Sequence, residues 1–583
     1  MSTGQVLFHH NYRYYVLCPF DKSLFNVSHK LLYPLTPRFK MSRLLALAAT
    51  SLTLVVATPP MGWNSYNHYN CLPTEDDIKQ SAQGIVDLGF ADLGYNIVTT
   101  DCGWNGRDRD EQGRQQWNAT LFPSGGKALG DFIHSLGLKF GLYSGAGYFQ
   151  CGSTDLPASL GFEEIDSKSF AEWGGDTLKY DNCYSTSRTV MVDSDSAEAK
   201  SPERFLKMGR LLKESGRQID YFLCQWGIGE NVPEWQVATT VGKSWRMSND
   251  IYNGWRSIWR ITNQVIPHAK HTREGSYADM DMLTVGLGAM SYDEERFHFG
   301  MWSMMKSPLH IGAPIDKSIT SQESLDIMAN KEVIAINQDP LSEAAQLALR
   351  NTEGEWDVWI GNLSEDRKIV GVANWRNESQ SVALDLSFLG IGSADARDVW
   401  AASDLGSISG TRQVELKGHE LKLLILSNVQ KAADAPSSAG YYPVTAAQIT
   451  APAVLRSCAD RGARDCLPVG QKVGDVNGDA KIAFRNVTVS AAGKKYVGVD
   501  FINYDYAFGT AWGWGTNTRN MTISVNGNPA TRWAFPLAGN DWFETGRLTI
   551  ELDGFKAGEN GVVFAAQANS GFAPDLVGIE VYE

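Results

Sequence analysis

The side chains best suited to covalent chemistry in this sequence close a series of short apolar runs. In chain order they are Trp63, Asp101, Tyr143, Lys179 with Asp181, Gln225 with Trp226, Arg246 with Asp250, and Asp281. Four carboxylates recur with a lysine, an arginine and three aromatic rings, and no histidine is placed among them. A serine or cysteine triad needs an imidazole base, so that chemistry is disfavoured. Cleavage of a glycosidic bond asks for two carboxyl groups across the bond, polar groups for the hydroxyls and an aromatic face for the sugar ring. The set supplies all three. One Asp at the end of a strand is ordinarily a helix cap or an ion-pair partner; the recurrence points to chemistry.

Something must bring these run ends together. The runs are MGWNSYN, YNIVTTD, KFGLYS, DTLKYD, DYFLCQW, SWRMSND, YADMDML and PLHIGA, and stretches of helical periodicity such as DIKQSAQGIVDLGFADLG and PERFLKMGRLLKESG lie between them. Eight strand–helix units predict an α/β domain, a (β/α)8 barrel over residues 58–340, with all these side chains on its C-terminal rim. An open doubly wound sheet would carry a Gly-rich phosphate loop after its first strand, and none is present. From 341 to 429 the runs WDVWIGNL, KIVGVANW, SVALDL, ARDVW, TRQVEL and LKLLIL alternate apolar with polar residues, which predicts an antiparallel β-sandwich. Residues 430–440 read as a Pro/Ser/Ala-rich linker. Residues 441–583 are again β-rich, with turns such as Val525–Gly527, and predict a jelly-roll sandwich.

Composition narrows the partners. The chain has 583 residues, enough for two or three domains. Its 52 Lys and Arg against 66 Asp and Glu give a net charge of −14, which argues against nucleic acid, whose binders need a cationic face. No segment of the length of a membrane span occurs. The Cys and His spacings suggest no zinc site and no other metal. Asp475-Val-Asn477-Gly-Asp479 looks like half a calcium loop, but Ala480 and Asn486 stand where an EF-hand needs Gly and a bidentate Glu.

The motifs PPMGWNSYN, GLYSGAG, LKYDNC, SWRMSNDI, DMDMLTVG and NKEVIAINQDP resemble glycoside hydrolase family 27, the α-galactosidase family, in order and spacing over about residues 58–430. The resemblance implies a retaining exo-glycosidase that removes terminal α-D-galactosyl residues from oligosaccharides, galactomannan or galactolipids. Asp181 would be the nucleophile and Asp250 the acid/base. Trp63, Asp101, Tyr143, Lys179, Gln225, Arg246, Asp281 and Met282 would contact the sugar. Lys179, two residues from Asp181 on one strand face, is expected to lower its pKa, and loss of solvent to keep a proton on Asp250. No cofactor is implied for the barrel. Residues 441–583 resemble carbohydrate-binding modules of family 35, implying a plant polysaccharide partner, stacking by some of Trp512, Trp514, Trp533 and Trp542, and room for calcium in that module.

Three departures from the family pattern bear on specificity. The second strand ends TTDCGW, where the family shows two adjacent Asp before Cys-Trp. Aligned on Trp104, Asp101 takes the first Asp position, which holds the galactose 6-hydroxyl. Aligned on the cysteine, Thr100 takes it, Asp101 takes the second and Gly103 is inserted. In that case the pocket would suit L-arabinopyranose, so a β-L-arabinopyranosidase is the alternative within the fold; a non-catalytic sugar-binding protein is the alternative outside it. Gln225 stands where many members carry Glu. The resemblance implies disulfides Cys71–Cys102 and Cys151–Cys183 and leaves Cys224 unpaired, while Cys458 and Cys466 are close enough for a local bridge.

Residues 41–57, with Arg43, a short apolar run and small residues up to Ala57, read as a secretory signal. Residues 1–40, including Cys18, read as an extension of the gene model before a start at Met41. A secreted chain fits the disulfides and the sequons at Asn118, Asn362, Asn377, Asn486 and Asn520.

Overall fold

The computed structural model describes residues 57–193, 196–227, 238, 240–458, 466–505, 517–539 and 541–583. The signal-like run up to Val56, residues 1–40, Trp512 and Trp514 lie outside the described residues.

Each of the eight runs contains one short strand: β1 Met61–Asn64, β2 Ile97–Thr99, β3 Lys139–Gly145, β4 Thr177–Asp181, β5 Asp220–Cys224, β6 Ser244–Arg246, β7 Tyr277–Asp279 and β8 Leu309–Ile311. They form a single sheet in the order β8-β1-β2-β3-β4-β5-β6-β7, and every neighbouring pair is parallel. The sheet closes just beyond β7. There the Leu283 N–H donates to the His310 carbonyl (2.7 Å) and the Gly312 N–H donates to the Leu283 carbonyl (2.9 Å). The result is a barrel. Helices cover its outer face, which is why the strands are apolar on both sides.

The outer helices carry ordinary start signals and one buried stripe. The helix Glu75–Asp87 opens with a capping box: Thr74 Oγ1 accepts from the Asp77 N–H, and the Asp77 carboxylate accepts from the Thr74 N–H. Its buried Ile78, Ala82 and Ile85 recur at helical spacing toward the barrel. Glu203–Glu214 buries Phe205, Met208 and Leu212 in the same way. No described helix is long and apolar enough to cross a membrane.

Two β-sandwiches follow. In the first, Gln346–Asn351, Trp356–Leu363, Arg367–Asn374, Leu421–Lys431, Ile391–Asp398 and Ser403–Ser409 form a six-stranded sheet, and Gln380–Asp385 pairs with Thr411–Leu416. Val358, Val370, Val382, Leu416 and Leu424 from both sheets share one core. In the second, the sheet containing Gly493–Ile502 and Asp575–Tyr582 shares a core with the sheet containing Lys481–Val489 and Gly558–Ala566. The expected linker is narrower than its composition suggests. Strands reach Lys431 and restart at Ser438, because Ser437 and Glu583 exchange backbone hydrogen bonds of 2.8 and 3.0 Å at the C-terminal strand.

The first sandwich is joined to the barrel by aromatic packing around one buried ion pair. Trp375 meets Trp259 and Phe297, each with ring centroids 4.6 Å away. Behind them Arg350 makes a bidentate pair with Asp357 (2.8 and 2.7 Å) and donates to Asn263 Oδ1 on the barrel (2.8 Å). Both charges are almost fully buried, at 2% and 1% exposure. Removing one partner of such a pair leaves the other charge uncompensated, at a cost of about 3–5 kcal/mol. Asp357→Ala is therefore expected to lower the unfolding free energy by that amount without altering turnover of the folded enzyme, as measured by chemical unfolding and initial rates.

Candidate active site

The carboxyl ends of the barrel strands bring most of the candidate side chains into one network. Asp101, just past β2, accepts from Asn64 Nδ2 of β1 (2.8 Å) and Lys179 Nζ of β4 (2.9 Å). Its other oxygen accepts from the Cys102 N–H (2.9 Å). Asp181, at the end of β4, accepts from the Tyr143 hydroxyl of β3 (3.1 Å) and the Asn182 N–H (2.9 Å). Arg246, at the end of β6, reaches Asp250 with one nitrogen (2.7 Å) and Asp281 with another (2.9 Å). Asp281 has φ +75°, a conformation costing roughly 1–3 kcal/mol in a non-glycine residue. It is held there by Arg246 and by the N–H groups of Ile251 (2.7 Å) and Met282 (2.8 Å), which donate to its carboxylate.

Three candidates take other places. Trp63 is fully buried, and its Nε1 donates to the Ala313 carbonyl (2.9 Å). Gln225 turns its amide toward the Lys200 carbonyl (3.4 Å). Met282 makes an apolar wall inside the barrel beside His310, Arg246 and Lys179.

The disulfides brace the same region. There Cys71 is joined to Cys102 and Cys151 to Cys183, and Cys224 is a buried free thiol, while the third bridge, Cys458–Cys466, lies in the third domain. The sulfurs of Cys151 and Cys183 lie within 4.8 Å of an Asp181 oxygen. Both are committed to the bridge, so this is no metal site. In the third domain Asp475 pairs with Arg456.

The expected electrostatics of the two aspartates need correction. Lys179 does favour the Asp181 anion, but its nitrogen sits on Asp101, and burial outweighs it. Burial pushes Asp181 up to about 6; Asp250 adds to the rise, while Lys179, Arg246 and the Asn182 N–H oppose it. Asp250 was expected in a dry site, yet its side chain is 31% exposed. The nucleophile candidate is thus the deep group, and the acid/base candidate faces the opening.

Comparison with known proteins places the chain in a family. Residues 58–339 match the family model described as alpha galactosidase A, and residues 353–426 match its C-terminal beta sandwich domain. A curated relative from Neosartorya fischeri, named probable alpha-galactosidase D, is 37% identical over 90% of this chain and 96% of its own. The chain belongs to the α-galactosidase family. It is a glycoside hydrolase of that family, and its fold follows the family's solved structures. Alpha-galactosidase I from Mortierella vinacea is 33% identical, with a TM-score of 0.59, over 66% of this chain and all of that one. A β-L-arabinopyranosidase from Geobacillus stearothermophilus shares the fold at 24% identity and a TM-score of 0.57, over 64% and 96% of the two chains.

The α-galactosidase-family site also contains residues that strand-end reading passed over. Asn64 and Tyr66 lie in the run MGWNSYN. Asn64 orients Asp101. Burial and the Asp250 charge push the Tyr66 hydroxyl up to about 12. His310 sits inside the barrel in the middle of β8, with its ring 5.4 Å from Phe222. Burial, with Lys179 nearby, pushes it down to about 4, which leaves it neutral and unsuited to act as a base at neutral pH.

An Asp raised to about 6 in the folded chain and near 3.9 when unfolded stabilises the fold only while protonated. Its contribution is complete below pH ~4 and is lost as pH rises through ~6, a difference of about 3 kcal/mol. Asp181→Asn should therefore melt above the wild type at pH 7. The gap should close by pH ~4, as followed by thermal unfolding across that range.

Proposed function

We propose that this enzyme is a secreted, retaining exo-α-galactosidase in which Asp181 is the nucleophile and Asp250 the acid/base. The observation that carries the reading is the depth order of the pair: Asp181 is 6% exposed and Asp250 is 31% exposed. A terminal sugar entering such a mouth would meet the buried carboxylate with its anomeric carbon, and its glycosidic oxygen would lie toward the outer one. In the first step an Asp181 oxygen attacks the anomeric carbon, the bond to the glycosidic oxygen breaks, and Asp250 gives that oxygen its proton. In the second, the Asp250 carboxylate takes a proton from water, the water oxygen attacks the anomeric carbon, and the ester bond to Asp181 breaks.

Asp101 and Lys179, already paired to each other, supply an acceptor and a cationic donor for sugar hydroxyls. Arg246 holds Asp250 and Asp281 in register. In the third domain, Trp533 belongs to the core. Trp542 instead borders a cleft of about 530 Å3 with Lys472, Arg519 and Asp575, which suits polysaccharide binding. Secretion is supported by the three disulfides and by the signal-like residues 41–57.

The arabinopyranoside reading has an observation of its own. Cys102 is bonded to Cys71, and Gly103 turns at φ +88° where a Cβ would stand 1.9 Å from the Cys71 carbonyl oxygen. This favours Gly103 as the inserted residue and Thr100 as the occupant of the first Asp position. Thr100 is buried, and its hydroxyl has no hydrogen-bond partner among the described residues. The relative's name and its 90% coverage keep α-galactoside in front.

Two measurements test these readings. Proton NMR of aryl α-galactoside cleavage should find the α-anomer first; Asp181→Ala should lose turnover and regain part of it with azide, and a β-anomer product would sink the assignment. On specificity, wild-type enzyme should prefer aryl α-D-galactoside to aryl β-L-arabinopyranoside by up to ~10⁴-fold if a buried carboxylate reads the 6-hydroxyl. Comparable rates on both, with a large gain for galactoside in Thr100→Asp, would transfer the assignment to arabinopyranoside.

A further inference from the structure

The barrel, the first sandwich and the third domain enclose a pocket of about 360 Å3, at the small end of the ~300–1,000 Å3 usual for ligand sites. Trp255 and Trp259 of the barrel wall it on one side, Trp356 of the first sandwich on another, and Asn520 and Arg532 of the third domain on the third. The three indoles are only partly buried. Such a concentration of half-covered rings beside polar groups is the surface a pyranose packs on, with its C–H face to the ring and its hydroxyls to the rim.

Asn520 adds a second, independent observation. It opens the sequon Asn520-Met521-Thr522 and lies on the strand Arg519–Val525, whose Met521, Ile523 and Val525 point into the core. Asn520 therefore faces outward, into the pocket. Arg532 Nη1 donates to its Oδ1 (3.4 Å). The amide nitrogen, the atom that N-glycosylation modifies, makes no hydrogen bond to the described residues. By contrast Asn362, Asn377 and Asn486 stand exposed, and Asn118 uses its side-chain oxygen to accept from two backbone N–H groups of a turn.

We propose that Asn520 carries an N-linked glycan whose first two N-acetylglucosamine rings occupy this pocket and fasten the third domain to the barrel. The inference rests on the reading that the chain is secreted. In the secretory pathway a lipid diphosphate-linked oligosaccharide is the donor. The Asn520 Nδ2 forms the bond to the anomeric carbon and loses a proton, and the bond from that carbon to the diphosphate breaks with the diphosphate as leaving group. Tethering at the rim gives the sugar an effective concentration of order millimolar, so weak stacking on the indoles suffices to hold it.

Glycopeptide mapping of all five sequons on protein secreted from a eukaryotic host, followed by endoglycosidase cleavage between the two core sugars under native conditions, tests this. Asn520 should be occupied and its glycan released at least ~10-fold more slowly than those elsewhere, a difference of about 1.4 kcal/mol in protection. Trp356→Ala, and separately Trp259→Ala, should abolish the protection, and Asn520→Gln should lower Tm by ~2 °C. An unmodified Asn520 beside occupied sequons would overturn the inference alone, as would release at the common rate or uptake of free oligosaccharide by the pocket of a bare Asn520. Protein with no glycan at any sequon would overturn the secretion reading with it.

Discussion

The site depends on holding more carboxylates than cations, most of them buried. Asp101, Asp181, Asp250 and Asp281 share Lys179 and Arg246 as their paired cations, and His310 is held neutral by burial. Each cation is consequently divided. Arg246 reaches two carboxylates at once, and its planar fork can do so where a lysine could not. Lys179 is spent on Asp101, with its charge favoured by the surrounding carboxylates against the cost of burial. Asp181 is left with a tyrosine hydroxyl and one backbone N–H. Its raised pKa follows from burial that this allocation leaves only partly offset, as does the instability it brings at neutral pH. A cation placed directly on Asp181 would stabilise the fold and weaken the nucleophile, which is the usual exchange at functional sites.

Backbone features set where those charges stand. Asp101 can reach Lys179 because β2 ends at Thr99 and the chain turns at once through Cys102 and Gly103, under the Cys71 carbonyl. Only glycine fits there. The disulfide and the glycine thus act together: one draws the turn inward, and the other removes the side chain that would block it. Asp281 is positioned differently. Its left-handed backbone is sustained by three hydrogen-bonded contacts, and through Arg246 its position is transmitted to Asp250.

Much of this was legible in the residues. The eight strand runs, the helical stripes and the rim placement of Asp101, Asp181, Asp250 and Asp281 all rest on periodicity and on strand-end position, which short-range chemistry controls. The strands Gln346–Asn351 and Ser403–Ser409 escaped because their signal is weak. Ser403–Ser409 in particular is exposed at all but one position, so it has no apolar face to alternate with a polar one. Asn64, Tyr66 and His310 escaped for another reason. Nothing in MGWNSYN or PLHIGA says which neighbour a polar side chain will meet, since that depends on strands distant in sequence. The full burial of Trp63 was not legible either, because aromatic content alone cannot separate a sugar face from a core. The Asp181 pKa was misjudged by weighing one neighbouring charge without the burial that a closed barrel mouth imposes.

The same distinction applies to the domain junction. Trp255 and Trp259 belong to the helix that begins five residues after Asp250, and Arg260 of that helix donates to the Asp250 carbonyl (2.6 Å). The helix therefore has two duties: Arg260, midway along it, fixes the backbone of Asp250, the proposed acid/base, and its outer face receives the first sandwich through Trp375 and the third domain through Gln264, whose amide donates to Asn517 (2.8 Å). A rigid scaffold on one side of a catalytic loop reduces the reorganisation needed when substrate binds. The added β-domains are thereby coupled to the one carboxylate of the proposed catalytic pair that a strand does not hold: Asp250 lies beyond β6, on a loop whose far end is this helix.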